Sequence, residues 1–493
     1  MNRGLSRGSL TVFSALSFML AASFLLALLE AAHAAELSKV TRMDAEAGIE
    51  SLFAAYQKEA WKNWNILILD GANASNAVDI PGLEELAMEN CVQKTEGTNL
   101  INFRVSDCET ESYTLITDQN GSVYRALAVS YIKENIPFEI AQKLYGEYEA
   151  IQTLNSGSGE AVEKAIAVLE DPESVEASEE QGDNTVTQSA ENASKEKIRE
   201  NPLEIVDELM TKSILGLVVE DISKLSDKRL NLSESVSGRK RETGVHPVSK
   251  DADWYDKILF DQYLSTQFGC FTNPVEGHAL DYEQEYLLYG NARDQKNLEE
   301  AVLWLMGIRE GANLLYLLSD SEKLNEALII ATILAGASVN PAVIEAVKYG
   351  ILAAWAYVES ILDIRALLQG EAIAFIKSKD SWTSDIYGLA SSLGSFAKAK
   401  SSEYGMKYER YLEILLMFPN ESKLAYHAMD LQEAQIRTLE GCENFRMDHM
   451  IVSMEMCFSY RWPPVFLPAS IIIPGKVDYF SGSQRVEYSY VWV

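Results

Sequence analysis

The sequence predicts an α+β chain, predominantly α-helical, with an N-terminal transmembrane helix, a helical-bundle main domain and small antiparallel β-sheet elements that include the C-terminus. Three observations carry this expectation. Residues 9–29 form an uncharged, largely apolar run, long enough to cross a bilayer as one helix. Between residues 254 and 439 apolar side chains recur at helical spacing. From residue 450 onward Val, Tyr, Phe and Trp dominate in the alternation that marks strands.

Arg3 and Arg7 precede the apolar run without an acidic partner, and such residues hold a short N-terminus in the cytoplasm. Everything after Glu30 is then expected outside, in a single-pass, extracytoplasmic arrangement at the cell membrane. Three fates of the leader stay open. It is an uncleaved anchor, which is the leading expectation because a simple secretory leader has an apolar core of only about 7–15 residues. It is a leader cut after Ala34, because Ala32-His33-Ala34 offers an A-x-A site. Or it is a pilin-type leader cut between Gly8 and Ser9, which leaves the helix on the mature protein.

The 493 residues are 47% hydrophobic and 10% aromatic, enough for real cores. A formal charge of −31 and a pI near 4.6 argue against nucleic acid as a partner, since phosphates demand clustered Lys and Arg. Cys91, Cys108, Cys270, Cys442 and Cys457 are too few for a disulfide scaffold and show no C-x-x-C spacing. Cys91 with Cys108, and Cys442 with Cys457, could bridge in an oxidising exterior; otherwise all are reduced, small hydrophobic residues.

The expected regions are 1–35, cytoplasmic N-terminus and signal-anchor helix; 36–150, stalk helix and small α+β region; 151–201, disordered acidic linker; 202–250, docking helix and basic loop; 251–440, helical main domain; and 441–493, C-terminal strands. Residues 44–64 read as a stalk helix, with Ile49, Leu52, Phe53, Tyr56, Ala60 and Trp64 at helical spacing. Residues 65–70 are a short apolar run, 99–105 and 111–117 look like strands, 118–121 a turn, and 122–134 a helix. That turn lacks the further acidic residues of a calcium loop. Residues 153–201 are rich in Glu, Ser, Gly, Asn and Gln; with so few large apolar side chains the segment cannot offset its ordering entropy, and only a transient helix near 160–169 is expected in it.

Residues 202–225 form an amphipathic helix with Ile205, Leu209, Ile214, Leu217 and Val218, which must dock, and 235–244 form the one basic cluster beyond the leader. Residues 254–268 open the main domain. Residues 297–319 carry Leu298, Val302, Leu305, Ala312 and Tyr316 on one stripe, widened by Leu303, Met306, Leu314 and Leu317, which predicts a central place in the bundle. Residues 324–339 are apolar, and the stretch 327–339 is too short to span a bilayer, so it is expected to be a core helix. Asn340-Pro341 caps the next helix, which runs to about residue 368 and stops at Gly370. Residues 450–460 and 477–493 are strands with a turn at 480–484, in an antiparallel sheet that the strands near 99–117 join.

No phosphate loop, dinucleotide fingerprint, nucleophile elbow or H-E-x-x-H is present. The histidines at 33, 246, 278, 427 and 449 have no metal-spaced partners. No catalytic, cofactor or metal residues are therefore assigned. The notable polar residues in the apolar helices are Glu285, Arg309, Glu310, Glu359, Asp363 and Arg365. Glu359 and Asp363, four apart, share one helix face; unpaired, they would suit acid/base or metal chemistry. The expectation is instead that Arg309 and Arg365 neutralise them in a buried network that fixes helix register. Trp304, Trp355, Trp382 and Tyr316 are expected in the core.

Several stretches together carry a resemblance: 283–290, Asp294, Asn297-Leu298, 308–316, 354–370, Lys377 and Trp382 in the main domain, Leu215 to Ser226 and the 237–244 loop before it, and 8–13, Leu29-Glu30 and 56–70 at the front. They resemble an uncharacterised family of Gram-positive bacteria, domain of unknown function 5702. No activity is assigned to that family. The resemblance implies a single-pass surface protein associated with tight-adherence (Tad-type) pilus systems, with a leader similar to those of the TadE and TadG pseudopilins. The fifth residue after Gly8 is Phe13, where such leaders usually carry glutamate. The expected function is a non-enzymatic, membrane-anchored component of a pilus or secretion assembly. The alternative is a cell-surface ligand-binding protein or hydrolase using Glu359 and Asp363.

Overall fold

The apolar run and the first part of the stalk form one uninterrupted helix, α1 (Leu5–Phe53), of 49 residues and about 74 Å. The structure, a computed structural model, describes residues 5–72, 77–91, 101–133, 201–245, 254–335, 340–466 and 479–491. They group into two units, one of Met1–Tyr131, Lys240–Asp251 and Ile436–Val493, the other of Ile132–Arg239 and Ala252–Gln435. The expected linker up to residue 200, its transient helix and His246 lie outside the described residues.

In the first unit the stalk ends at Phe53 rather than residue 64. Tyr56 pairs with Leu69 in an isolated bridge, and Gln57 then caps a separate helix, α2 (Lys58–Trp64), by accepting from Glu59 N. Pairing to the sheet overrides the helical spacing there. The unit continues with β1 (Leu69–Asp70), α3 (Ile80–Asn90), β2 (Arg104–Leu115) and α4 (Asp118–Lys133), and is completed by β3 (Met450–Trp462) and β4 (Phe480–Ser489). The strands expected at 99–105 and 111–117 are one bulged strand, β2, with residues 99 and 100 outside the described set. The expected turn is present at the start of α4, where Gln119, Asn120 and Gly121 have positive φ.

β3 is the centre of an antiparallel sheet, with β2 along one side and β4 and β1 along the other. The turn expected at 480–484 is instead part of β4. Gly482 pairs with Tyr460, and a Cβ on it would come within 2.9 Å of the Trp462 indole. Its small residue is therefore a slot for a cross-strand ring, not a chain reversal. Alternation along β3 buries Met454, Met456, Phe458 and Tyr460 on one face, and α1 and α3 pack on the sheet.

The second unit contains α5 (Pro202–Met210), α6 (Ile214–Val218), α7 (Trp254–Gln267), α8 (Glu283–Tyr289), α9 (Asp294–Ser319), α10 (Ser321–Leu334), α11 (Pro341–Leu368), α12 (Tyr408–Leu416) and α13 (Glu421–Ile436). The single docking helix expected over 202–225 is α5, α6 and a 3-10 turn at Ile222–Lys224, because Thr211 closes α5 and Ser213 opens α6. Their buried Val206, Leu209, Leu215 and Val218 face the bundle, where both helices pack on α11. α9 and α11 run together at the centre, and α11 is buried on every side from residue 354 to 368. α9 is less enclosed than its apolar stripe predicts: Leu303 is 51% exposed. Asn340 caps α11 by accepting from Ala342 N, Pro341 sits in its first turn, and Gly370 follows its end at φ 82°. Residues 336–339, between α10 and α11, lie outside the described residues.

Candidate functional site

The first place with functional consequence is where α1 changes character. From residue 10 to 29 it is exposed apart from half-buried Ala22, with Leu10, Phe13, Phe18 and Leu20 each at least 67% exposed. The exposed stretch measures about 30 Å, the thickness of a bilayer's hydrocarbon core. At Glu30 this exposure ends. The Glu30 carboxylate, 5% exposed, accepts the N–H groups of Val465 (3.1 Å) and Phe466 (2.6 Å). His33 lies 3.7 Å from it with its ring edge-on to Phe466.

Beyond, Leu37, Thr41, Asp44, Gly48 and Leu52 recur every three or four residues and are buried, one face of a helix laid on its own sheet. Gly48 allows the closest approach, since a Cβ there would sit 2.8 Å from Cys91 Sγ. Tyr460 Oη donates to Asp44 (3.1 Å), and Gln484 Nε2 donates to Ser38 O and Thr41 Oγ1. Thus Ala32-His33-Ala34 lies inside a helix already engaged by the loop after β3.

The second place is the charge cluster in the second unit. Glu359 and Asp363 share one face of α11, as expected, and both are fully buried. Arg309 from α9 reaches Asp363 Oδ2 through Nε (3.0 Å) and Nη2 (2.8 Å), and Asn313 Nδ2 donates to the same oxygen (2.9 Å). Burial pulls the Arg309 guanidinium down, and Asp363 and Tyr411 more than reverse that, so its net shift is upward. Arg365 does not join. It donates instead to the carbonyls of Leu217 (2.8 Å), Leu393 (3.1 Å) and Ala397 (3.0 Å), and stacks over Phe396. The second cation is Lys377, whose Nζ lies 2.8 Å from Glu359 and 2.7 Å from Asp363 at 0% exposure. Glu359 also accepts the N–H groups of Thr383 (3.1 Å) and Ser384 (2.8 Å). The two acids thus face two cations, two backbone amides and an asparagine amide.

The other polar residues hold loops. Glu283 accepts from Gly269 N (2.8 Å) and meets His278 (2.9 Å). Glu285 accepts from Phe271 N (3.0 Å) and Tyr408 Oη (2.7 Å), and burial pushes its carboxyl up to about 7. Glu310, half-buried, is likewise pushed by burial to about 7. The basic loop is bound rather than open: Ser237 donates to Asp430 through N (2.9 Å) and Oγ (2.6 Å), and Arg239 pairs with Glu433 (2.7 Å). Further along, Asp118 accepts from Gly244 N (3.1 Å).

His427 is buried against Leu287 O and lowered by that burial to about 4; His449 lies 3.6 Å from Glu242. All five cysteines are free thiols, and burial pushes Cys91, Cys108 and Cys270 up to about 12. Trp355, Trp382 and Tyr316 cluster as expected, with Lys323 Nζ 4.2 Å from the Trp355 ring. Trp304 instead meets Phe418 at the rim of the bundle. Among the described residues no group of three or more His, Cys, Asp or Glu could hold a metal ion.

Lys377 and Glu30 carry these two places, and the residues around them gave neither a role: a lone lysine beyond Gly370 and a glutamate at a hydropathy boundary carry no spacing signal. In comparison with known proteins, a family model described as a family of unknown function (DUF5702) matches residues 192–462. No curated protein and no solved structure matches the chain.

Proposed function

The chain belongs to the DUF5702 family of unknown function, and from that premise we propose that it is a non-enzymatic, membrane-anchored extracytoplasmic protein, a pseudopilin-like component of a Tad-type pilus or secretion assembly. The observation that carries this reading is the division of α1 at Glu30. Its first part leaves apolar side chains bare over the length of a bilayer core, and its second part is the spine of an antiparallel sheet unit. Bare apolar surface on this scale needs hydrocarbon or like helices to cover it. A subunit that displays a folded head on a helix of this kind suits storage in a membrane and assembly by helix packing.

The seat of Glu30 and His33 supports retention of the helix. Cleavage after Ala34 would remove Glu30 from the Val465 and Phe466 amides and His33 from the Phe466 ring, and would require the helix to unwind beside buried Leu37. The saturated partners of Glu359 and Asp363 support the non-enzymatic reading, because a substrate would have to displace Lys377 or Arg309 from a fully buried site. The test is protease treatment of intact cells together with cross-linked membrane purification. Digestion from outside, with a membrane-held N-terminal fragment and co-purified pilus or secretion components, is the expected result. A chain shed into the medium, or cross-links that contain no assembly component, would contradict it.

A further inference from the structure

α9 lies at the centre of the second unit, yet one stripe of it is bare. Glu300, Leu303, Gly307 and Glu310 recur every three or four residues and so share one face. Leu303 is 51% exposed, Gly307 is exposed, and Glu300 and Glu310 are half-buried. Beside them the half-buried Trp304 ring meets Phe418, which is 40% exposed.

Two features of this stripe have no use inside the chain. Gly307 sits in the middle of a 26-residue helix, where glycine weakens the helix relative to alanine. Nothing beyond its own helix lies within 4 Å of the place a Cβ would take, so no packed neighbour among the described residues calls for the gap. Glu310 has no hydrogen bond or ion pair among the described residues, whereas Glu299, Glu326 and Glu345 each meet a lysine. Burial alone pushes the Glu310 carboxyl up to about 7. Tyr357 of α11 is close enough to feel it: burial and the Glu310 charge raise its hydroxyl. The acid is thus partly withdrawn from water without a cation. We propose that the α9 face bearing Leu303, Gly307 and Glu310 is the docking groove for a basic amphipathic helix of another protein, which sets a Lys or Arg on Glu310 and apolar side chains against Leu303 and Phe418.

Charge complementarity selects this occupant. Hydrocarbon could cover Leu303 and Phe418 but would leave the Glu310 carboxylate unpaired in an apolar medium. A second copy fits no better. A twofold pair lays this face on itself, Glu300 and Glu310 included, and each chain carries −31, which drives copies apart. A basic helix supplies the missing cation, and its backbone can approach α9 most closely at Gly307, where no side chain intervenes. The inference does not depend on α1 being an anchor.

The test titrates the full chain, held in phosphatidylcholine nanodiscs, with a fluorescent Ala/Leu/Lys peptide of about 18 residues, five turns of helix, whose leucines and lysines share one face. Glu310→Gln and Gly307→Leu are each expected to weaken binding about tenfold, whereas Glu403→Gln, at an exposed acid elsewhere, leaves it unchanged. Both changes keep the fold, because glutamine has the shape of glutamate and a side chain at 307 starts in open space; circular dichroism of each variant checks this. Binding should also tighten severalfold from about pH 6 to pH 8 as Glu310 ionises, and Glu310→Gln should remove that rise. No binding, or binding that ignores both changes, would overturn the proposal, because the peptide then answers only to overall charge. A dimer seen by sedimentation and broken by Gly307→Leu would overturn it too, since a second copy then fills the groove.

Discussion

Replacing Lys377 with methionine strands a negative charge in the middle of the second unit. Arg309 and Lys377 balance Glu359 and Asp363, with Arg309 on Asp363 and Lys377 between Asp363 and Glu359, and all four side chains are at 0% exposure. Methionine fills much of the lysine's volume, so the loss is chiefly the cation and its bond to Ser381 O. Removing one partner of a buried pair costs about 3–5 kcal/mol, and a unit of this size loses about 2–4 °C for each kcal/mol, which makes the expected drop about 6–20 °C.

The double variant Lys377→Met with Glu359→Gln restores neutrality, because Arg309 then faces Asp363 alone. It is expected to recover about 0.5–3 kcal/mol of coupling relative to the sum of the single changes. Unfolding in detergent, followed by tryptophan fluorescence, suits the purpose, since the Trp355 indole donates to Ser384, whose N–H holds Glu359. A Lys377→Met protein as stable as the wild type, or a double variant with no coupling, would refute the view that this network is a balanced structural clamp.

Other outcomes follow from the same contacts. Glu30→Ala removes the acceptor for Val465 and Phe466 N–H and should cost about 1–3 kcal/mol; faster hydrogen exchange at those amides checks it. Glu285 and Glu310, each near 7, are raised acids that bind protons better folded than unfolded, so stability falls as pH rises through 7. His427, near 4, acts oppositely and only below about 6.5. The second unit should therefore lose stability between pH 6.5 and pH 8, by about 1 kcal/mol for Glu285 and less for Glu310, read as a falling melting temperature, and Glu310→Gln should flatten the profile. Cys91, Cys108 and Cys270, with thiols near 12, should resist iodoacetamide at pH 8 until the chain is unfolded, as mass spectrometry of the alkylated peptides can show.

Much of the scaffold was legible because it rests on local chemistry. The apolar run and its helical continuation, the Asn340-Pro341 cap and the β-rich tail each depend on residues close together in sequence. The misread parts depend on residues far apart. Residues 54–57 leave the helix because Tyr56 pairs with Leu69. Ser481 to Gln484 looked like a turn but lie flat under Trp462. In the charge cluster the two acids and Arg309 were visible from their setting in apolar helices, whereas the choice of Lys377 over Arg365 was not. Arg365 finds three carbonyls, one in the short helix α6 and two between residues 393 and 397, that no periodicity predicts, and Lys377 is brought back to α11 by a loop with little regular structure.

The mass of the mature N-terminus, taken from protein in the membrane fraction of the native host, tests the central claim most directly. A chain that begins at Met1, or at Ser9 after removal of the short basic segment, retains the exposed stretch of α1 and agrees with a membrane-held subunit. A chain that begins at Ala35 has lost that stretch together with Glu30 and His33, and would contradict the account.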